Sequence, residues 1–474
     1  MKILWLMPPS RYPGQIPLVS QNRWFKYLPY RANFIYPVIA AYGVSMLLED
    51  GFDVDFVDAP ADQVELSDIL SNIASYDLVI LEGRTAIMPW LWQLVKRFKD
   101  INPKLKAAVY GDHVMVRPHS SLENGFDFVV DCGDYDWGVL QLARALRSNA
   151  LVPSIFKAPL MEDLNELPLL DRKAVDWKQY FESWRHREEF GWIQSGRGCW
   201  AQCSFCSWNH TFYSKTIRTM NHRRVFREIQ DGYYEYGIRE FLDDADTFIL
   251  KPFGVDLALD ILRAHLDVFW NIQTRADVVA SCSIYELSKM KDSGLHIVKL
   301  GLDGGNDYTL GRIQKGIDVT QIRKAVENLH KAGLEIHVNM ILGYPWEDRK
   351  MAYDTIKFVK SLKPNQAQFG LIQPFIGTPM YAEAVENGWF SMDPDDYNTW
   401  DMRSPILVGK MSSQEISQLY VDAWRQFYFS KRFIAGQLLK AIKLTVKERD
   451  LDSFKHLWRG YNAVKKGHLK AVKQ

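Results

Sequence analysis

The feature that most constrains the fold of this chain is a strand–helix rhythm that runs through it twice. In the first third, apolar runs of strand length recur as KILWLMPP, DVDFVDA, YDLVILEGR, LKAAVYGDH and DFVVDCG, with amphipathic stretches at 37–50, 66–75, 88–100 and 136–147 between them. Continuous apolar strands separated by helices predict a parallel sheet covered on both faces. Five such units in about 145 residues fit a doubly wound, flavodoxin-like or Rossmann-like sheet. The second series begins near residue 189, with strand candidates GWIQSG, REFLDDAD, VFWNIQTRAD, LHIVKLGLD, EIHVNMILG and QAQFGLIQPF. Helical patterns lie among them at 219–237, 251–266, 318–332 and 347–362. Six consecutive units with no second sheet predict a partial (β/α)6 barrel with an open side.

The expected organisation is therefore α/β in successive parts: a Rossmann-like domain over 1–150, a proline-rich connector over 151–188, the barrel over 189–390 and a helical region over 391–474. A chain of 474 residues has room for two to four domains at ~100–200 residues each. A formal net charge of +1 gives no global field for nucleic acid. The basic positions Lys465, Lys466, His468, Lys470 and Lys473 read as a solvated helix end. The longest apolar run, Tyr36–Leu48, is too short to cross ~30 Å of hydrocarbon. Five cysteines, three of them clustered, make no disulfide framework and fit a reducing cytoplasm. Cys132 and Cys282 read as small buried residues.

The clustered three are Cys199, Cys203 and Cys206, a C-x3-C-x2-C run on the loop after the first barrel strand, with Phe205 just before the last. Three neighbouring thiolates can hold a soft metal centre. A saturated structural site takes four ligands. Three with no nearby fourth leave one coordination position open. The residues also allow a zinc ion borrowing His210, a disulfide pair, or chance.

The order of motifs downstream resembles the radical S-adenosylmethionine enzymes. FLDDADTF resembles the family's second-strand turn, GLDGGNDYTLGRIQKG its fourth-strand segment and ILGYPWED its fifth-strand turn. The resemblance implies a [4Fe-4S] cluster on the three cysteines. The open iron would chelate S-adenosylmethionine, and an electron would cleave it to a 5′-deoxyadenosyl radical. In βα barrels the chemistry sits at the carboxyl ends of strands. The resemblance accordingly assigns S-adenosylmethionine contacts to Phe205, Asp243, Asp244, Arg275, Gly301, Asp303, Gly343 and Pro345. Where relatives usually read Gly-x-Glu-Ser, this chain has Asp303 and Gly304, which puts a ribose contact there in doubt. Each fragment alone reads more simply: paired aspartates as a helix cap, Gly-Gly as a turn, a lone Arg275 as an ion-pair partner.

The first third resembles the cobalamin-binding domain that precedes many such barrels, closest at YGDHVMVRP. Ligands of doubly wound sheets bind beyond the carboxyl strand ends. The expected contacts are Ser10, Glu82, Thr85, Gly111, Asp112 and His113, under a long aromatic segment at 11–35. The D-x-H-x-x-G motif that would place a histidine below cobalt is absent. Cobalamin is then held with no histidine beneath it, or the domain keeps the fold without the cofactor. The resemblance implies cobalamin-dependent methyl transfer to an unactivated centre of a small-molecule, natural-product or lipid substrate. The alternatives are non-methylating radical chemistry (cyclisation, oxidation, dehydration or rearrangement) and, remotely, a non-catalytic iron–sulfur or zinc protein that binds a nucleotide. It further implies an external one-electron reductant of flavodoxin or ferredoxin type.

Overall fold

The computed structural model describes residues 1–9, 16–20, 23–28, 34–213, 216–401, 404–448 and 464–465. Ser10, most of the aromatic 11–35 segment and the basic tail apart from Lys465 lie outside the described residues or their side chains. Within that segment Ile16–Ser20 pairs antiparallel with Arg23–Leu28.

The first sheet holds β1 (Lys2–Met7), β2 (Asp53–Asp58), β3 (Leu78–Glu82), β4 (Lys106–Tyr110), β5 (Phe128–Asp131) and β6 (Ile155–Lys157). Its order is β2-β1-β3-β4-β5-β6, parallel throughout. This is the flavodoxin order extended by one strand. That sixth strand is a correction: it falls in the stretch read from sequence as connector. At three residues, IFK, it is too short to carry a periodic signal. The other five match: inner strands covered on both faces are apolar throughout, as Ile3 to Met7 are all buried, while the edge strand β2 alternates Asp with Val and Phe.

The second sheet holds β7 (Phe190–Ile193), β8 (Glu240–Asp243), β9 (Phe269–Thr274), β10 (Leu295–Gly301), β11 (Glu335–Leu342) and β12 (Gln366–Leu371), paired in chain order and all parallel. No pairing joins β7 to β12 among the described residues, so the barrel is open. Local chemistry sets the intervening helices. In the helix Val319–Ala332, the Asp318 side chain accepts from Gln321 N at 2.7 Å while the Gln321 side chain accepts from Asp318 N at 3.0 Å. This capping box satisfies two orphan amides. The left-handed Gly333 (φ +71°) ends the helix.

The helix Ser413–Tyr428 covers the last strand: the Tyr428 hydroxyl donates to Ala367 O at 2.7 Å and accepts from Ala367 N at 3.2 Å. Tyr420, Trp424 and Phe427 are buried in that contact. No helix among the described residues is long and apolar enough to cross a membrane.

Candidate functional site

The cysteine loop leaves β7 and is pinned from several sides. Gly198 sits at φ +85°, and a Cβ there would lie 1.8 Å from Thr216 O, so only glycine fits. Its amide donates to Asp246 at 2.7 Å. Ser204 N donates to Ile313 O at 2.9 Å, and Met380 N donates to Ser204 O at 2.9 Å, which ties the loop to the helical segments that follow β10 and β12. The Asn209 amide donates to Ala201 O at 2.6 Å. Burial pushes the Cys206 thiol up to about 12 and raises Cys203 as well, with Lys315 opposing the latter shift. Such thiols ionise when a metal supplies the compensating charge.

One ring nitrogen of His210 faces Cys203 O at 3.1 Å. Its hydrogen is directed to that carbonyl, so this nitrogen offers no lone pair to a zinc ion. All five cysteines are free thiols, which removes the disulfide alternative.

Around this loop the strand ends converge. Asp243, at the end of β8, accepts through Oδ1 from Ser195 N at 3.0 Å and Ala245 N at 3.1 Å. Its Oδ2 is buried with no hydrogen-bond partner. Burial raises its pKa to about 6. Asp244 accepts from the Gln273 amide at 3.2 Å. At the end of β9, Arg275 forks onto Asp277 at 3.0 Å and donates to Lys315 O at 2.9 Å. Beyond β10, Asp303 adopts φ +60° and ion-pairs with the buried Lys315. Burial alone would lower the Lys315 pKa, but the carboxylate beside it leaves it raised. Gly301 closes β10 against the Lys315–Asp303 pair, where a Cβ would stand 3.5 Å from Lys315 Nζ and 3.7 Å from Asp303 Oδ2.

After β11, Gly343 turns at φ +82°, and Gly409 packs so closely on Pro345 that a Cβ would stand 2.1 Å from its carbonyl oxygen. Glu347, lifted to about 7 by burial, accepts from the Thr309 hydroxyl at 2.6 Å. Phe205 is half-buried against the core. Trp200 is 41% exposed above Arg275 and lines a cavity of about 310 Å³ with Ile249, Lys251, Asp277, Val278 and Ser281. Trp208 instead stacks on Tyr213.

The second candidate group gathers at the carboxyl edge of the first sheet. Glu82, Thr85, Asp112 and His113 are all buried around Arg84, which donates to Glu82 at 2.7 Å and pairs with Asp112 at 3.2 Å. Gly111, at φ +124°, brings its backbone against Gly83, whose carbonyl would lie 2.4 Å from a Cβ. His113 Nδ1 lies 3.2 Å from the Thr85 hydroxyl, and its ring stands edge-on to Tyr397. Burial, helped by Arg117, lowers its pKa to about 3, so it stays neutral.

The two groups adjoin. Gly133, just after β5, sits so near Phe212 of the cysteine loop that a Cβ would be 2.1 Å from its carbonyl oxygen. Arg197, two residues before Cys199, is buried between Asp134 (3.0 Å) and Asp136 (2.8 Å), and Arg218 also pairs with Asp134. Sequence reasoning missed Arg197 and Lys315 as site residues. Lys315 stood inside a quoted motif and Arg197 just before the cysteine run, but their partners lie 12 and 61 residues away.

An open parallel sheet of six barrel strands with a three-cysteine loop after the first defines a class, the radical S-adenosylmethionine enzymes. The Radical SAM superfamily pattern matches residues 193–359. An uncharacterized methyltransferase of Pyrococcus horikoshii is 30% identical over 429 residues, 85% of this chain and 90% of its own length. The anaerobic magnesium-protoporphyrin IX monomethyl ester cyclase of Rubrivivax gelatinosus is 22% identical, over 84% of this chain and 74% of its own. Among solved structures, the cobalamin-dependent S-adenosylmethionine radical enzyme OxsB, with aqua-cobalamin and S-adenosylmethionine bound, superimposes with a TM-score of 0.66 at 13% identity, over 98% of this chain and 70% of its own. The chain belongs to the radical SAM superfamily and is an enzyme related to its cobalamin-dependent methyltransferases.

Proposed function

We propose that this enzyme transfers a methyl group from cobalamin to an unactivated centre of a small molecule, within modules at 1–150, 189–390 and 391–474 joined by 151–188. The observation that carries this reading is the Arg197 clamp, which holds the cysteine loop against the carboxyl edge of the first sheet. A corrinoid on that edge and a cluster on that loop would face a common space. The P. horikoshii relative is named a methyltransferase, and OxsB holds cobalamin on the same fold.

When bound, the cluster, S-adenosylmethionine and corrinoid supply an electron, a hydrogen-abstracting radical and a methyl group. The protein's part is holding and shielding. Cys199, Cys203 and Cys206 hold the cluster. The orphaned Asp243 Oδ2, with Asp244, receives the methionyl ammonium, because a buried acceptor without a partner is costly until a donor arrives. The Lys315 cation, near Cys203, would attract a methionyl carboxylate, and its bond to Asp303 takes up one candidate for the ribose. Gly301, Gly343 and Pro345 offer backbone at close approach, and Phe205 seals the cysteine loop. Glu82, Thr85, Gly111, Asp112 and His113 would form the corrinoid side. Packing of the first sheet on the barrel keeps water from the site. The electron comes from a flavodoxin- or ferredoxin-type donor in the cytoplasm.

A second reading, non-methylating radical chemistry, is favoured by one observation: the first third carries no D-x-H-x-x-G motif, and His113 turns its Nδ1 to Thr85. The cyclase relative is of that kind by name. The deciding experiment is the ultraviolet–visible spectrum of anaerobically reconstituted protein incubated with hydroxocobalamin and desalted. A cluster shoulder with stoichiometric corrinoid supports methyl transfer. A cluster shoulder with no retained corrinoid overturns it in favour of the second reading.

A further inference from the structure

At the opposite end of the barrel from the cysteines, three side chains from different parts of the chain meet. His186 comes from the stretch just before β7, His296 is the second residue of β10, and Glu335 is the first residue of β11. His186 Nε2 lies 3.8 Å from Glu335 Oε2, and His296 Nε2 lies 3.6 Å from Glu335 Oε1. One ligand atom from each of the three falls within 4.8 Å of the others, and among the described residues no other trio of histidine, cysteine or carboxylate atoms does so.

The surroundings set the ligands in place. Glu240 accepts from the backbone amides of His186 and Arg187, both at 2.7 Å, and so fixes the segment across the mouth of the barrel. His296 stacks on Phe269 at 4.5 Å and 11°, and His186 stands edge-on to His296 at 4.3 Å. Arg187 covers Phe269 as well, but its charge is met by Asp267 at 2.8 Å. The imidazole planes are thus held by ring contacts, and the two Nε2 atoms approach opposite oxygens of one carboxylate.

Two imidazoles and a carboxylate are a ligand set for zinc and similar divalent first-row ions. A tetrahedral ion with bonds of ~2.0–2.1 Å holds its donors about 3.3 Å apart, so three ligand atoms within 4.8 Å of one another would close by up to about 1.5 Å on binding it. The side chains are 17–24% exposed, which leaves a route in and room for water at the fourth position. We propose that His186, His296 and Glu335 bind a divalent cation of the zinc type, which staples the connector to the amino-terminal floor of the barrel. The strand β10 alone, seven residues long, separates this floor from the cysteine end by about 20 Å, so the ion takes no part in the radical step.

The test uses the full-length protein, its cysteine site already loaded with the cluster, dialysed anaerobically against zinc buffered in the low micromolar range. One zinc per chain beyond the iron is expected, and its X-ray absorption fine structure should show nitrogen and oxygen neighbours without sulfur. Glu335→Gln keeps the side-chain shape and should weaken retention at least about tenfold, with His296→Ala weaker still. Iron content equal to the unaltered protein in both variants shows that the barrel is intact. Equal zinc retention in the parent and both variants, or a shell of sulfur alone, overturns the proposal. So does retention of no zinc by the parent, since the trio is then a set of histidine–carboxylate ion pairs only.

Discussion

The carboxyl edges of the two sheets are built on opposite electrostatic plans. At the first sheet, Arg84 lies between Glu82 and Asp112, and His113 is kept neutral between Thr85 and Tyr397. Opposite charges there meet at short range. At the barrel, Asp243 leaves one carboxylate oxygen buried without a donor, and burial raises the Cys203 thiol and pushes that of Cys206 up to about 12. Buried polar groups are nearly always satisfied, so an edge that leaves some unsatisfied is prepared for charged ligands. The first edge resembles a wall whose charges are paired, with the neutral His113 Nε2 left buried without a hydrogen-bond partner. The second resembles a socket.

The largest effect expected from breaking this contrast is at the socket itself. Cys203→Ala should reduce 5′-deoxyadenosine formation by more than about a hundredfold, beyond the loss typical of groups that merely orient ligands. Chromatography of the nucleoside products measures it, and formation at the parent rate would remove the cysteines from the site. Next comes the join between the two edges. Arg197→Met leaves Asp134 and Asp136 buried with one guanidinium fewer, a loss of about 3–5 kcal/mol for a broken buried pair. The thermal midpoint should fall by several degrees, and an unchanged midpoint would mean that the clamp contributes nothing to holding the edges together.

A smaller and more diagnostic effect is expected at Asp243. Burial raises its pKa to about 6, so the charged carboxylate that attracts an ammonium is fully present only above that pH. S-adenosylmethionine affinity should therefore rise as pH increases through about 6 and then level off. Asp243→Asn should lower affinity about tenfold, roughly 1.4 kcal/mol, and flatten this slope while cluster iron stays the same. Calorimetric titration at several pH values measures both, and a pH slope that survives in the variant would place the titrating group elsewhere. The smallest effect is expected in the wall. His113→Gln should change corrinoid retention by less than about twofold, since Thr85 holds Nδ1 and Tyr397 packs on the ring, and the unpartnered Nε2 is the atom this substitution tests. A shift of the bound corrinoid's visible bands in this variant would show that His113 reaches the cobalt and that the wall is a ligand after all.

The legibility of the molecule follows the range of the interactions that shape it. Eleven of the twelve strands in the two large sheets were readable because each carries an apolar or alternating run bounded by turn residues, a signal contained within a few residues. The cysteine triad and the turns at Asp243, Asp303 and Gly343 were readable for the same reason: spacing along one loop is a local property. The strand Ile155–Lys157 escaped because three residues in a proline-rich stretch carry no period. What only the tertiary structure decided are the pairings across long separations. Arg197 meets Asp136 from 61 residues away, Lys315 turns onto Asp303, and His186 comes beside Glu335 across most of the barrel. A charged side chain in sequence has many candidate partners at similar distance along the chain. Only the closed fold, by excluding water and fixing two backbones, selects the one that each must meet.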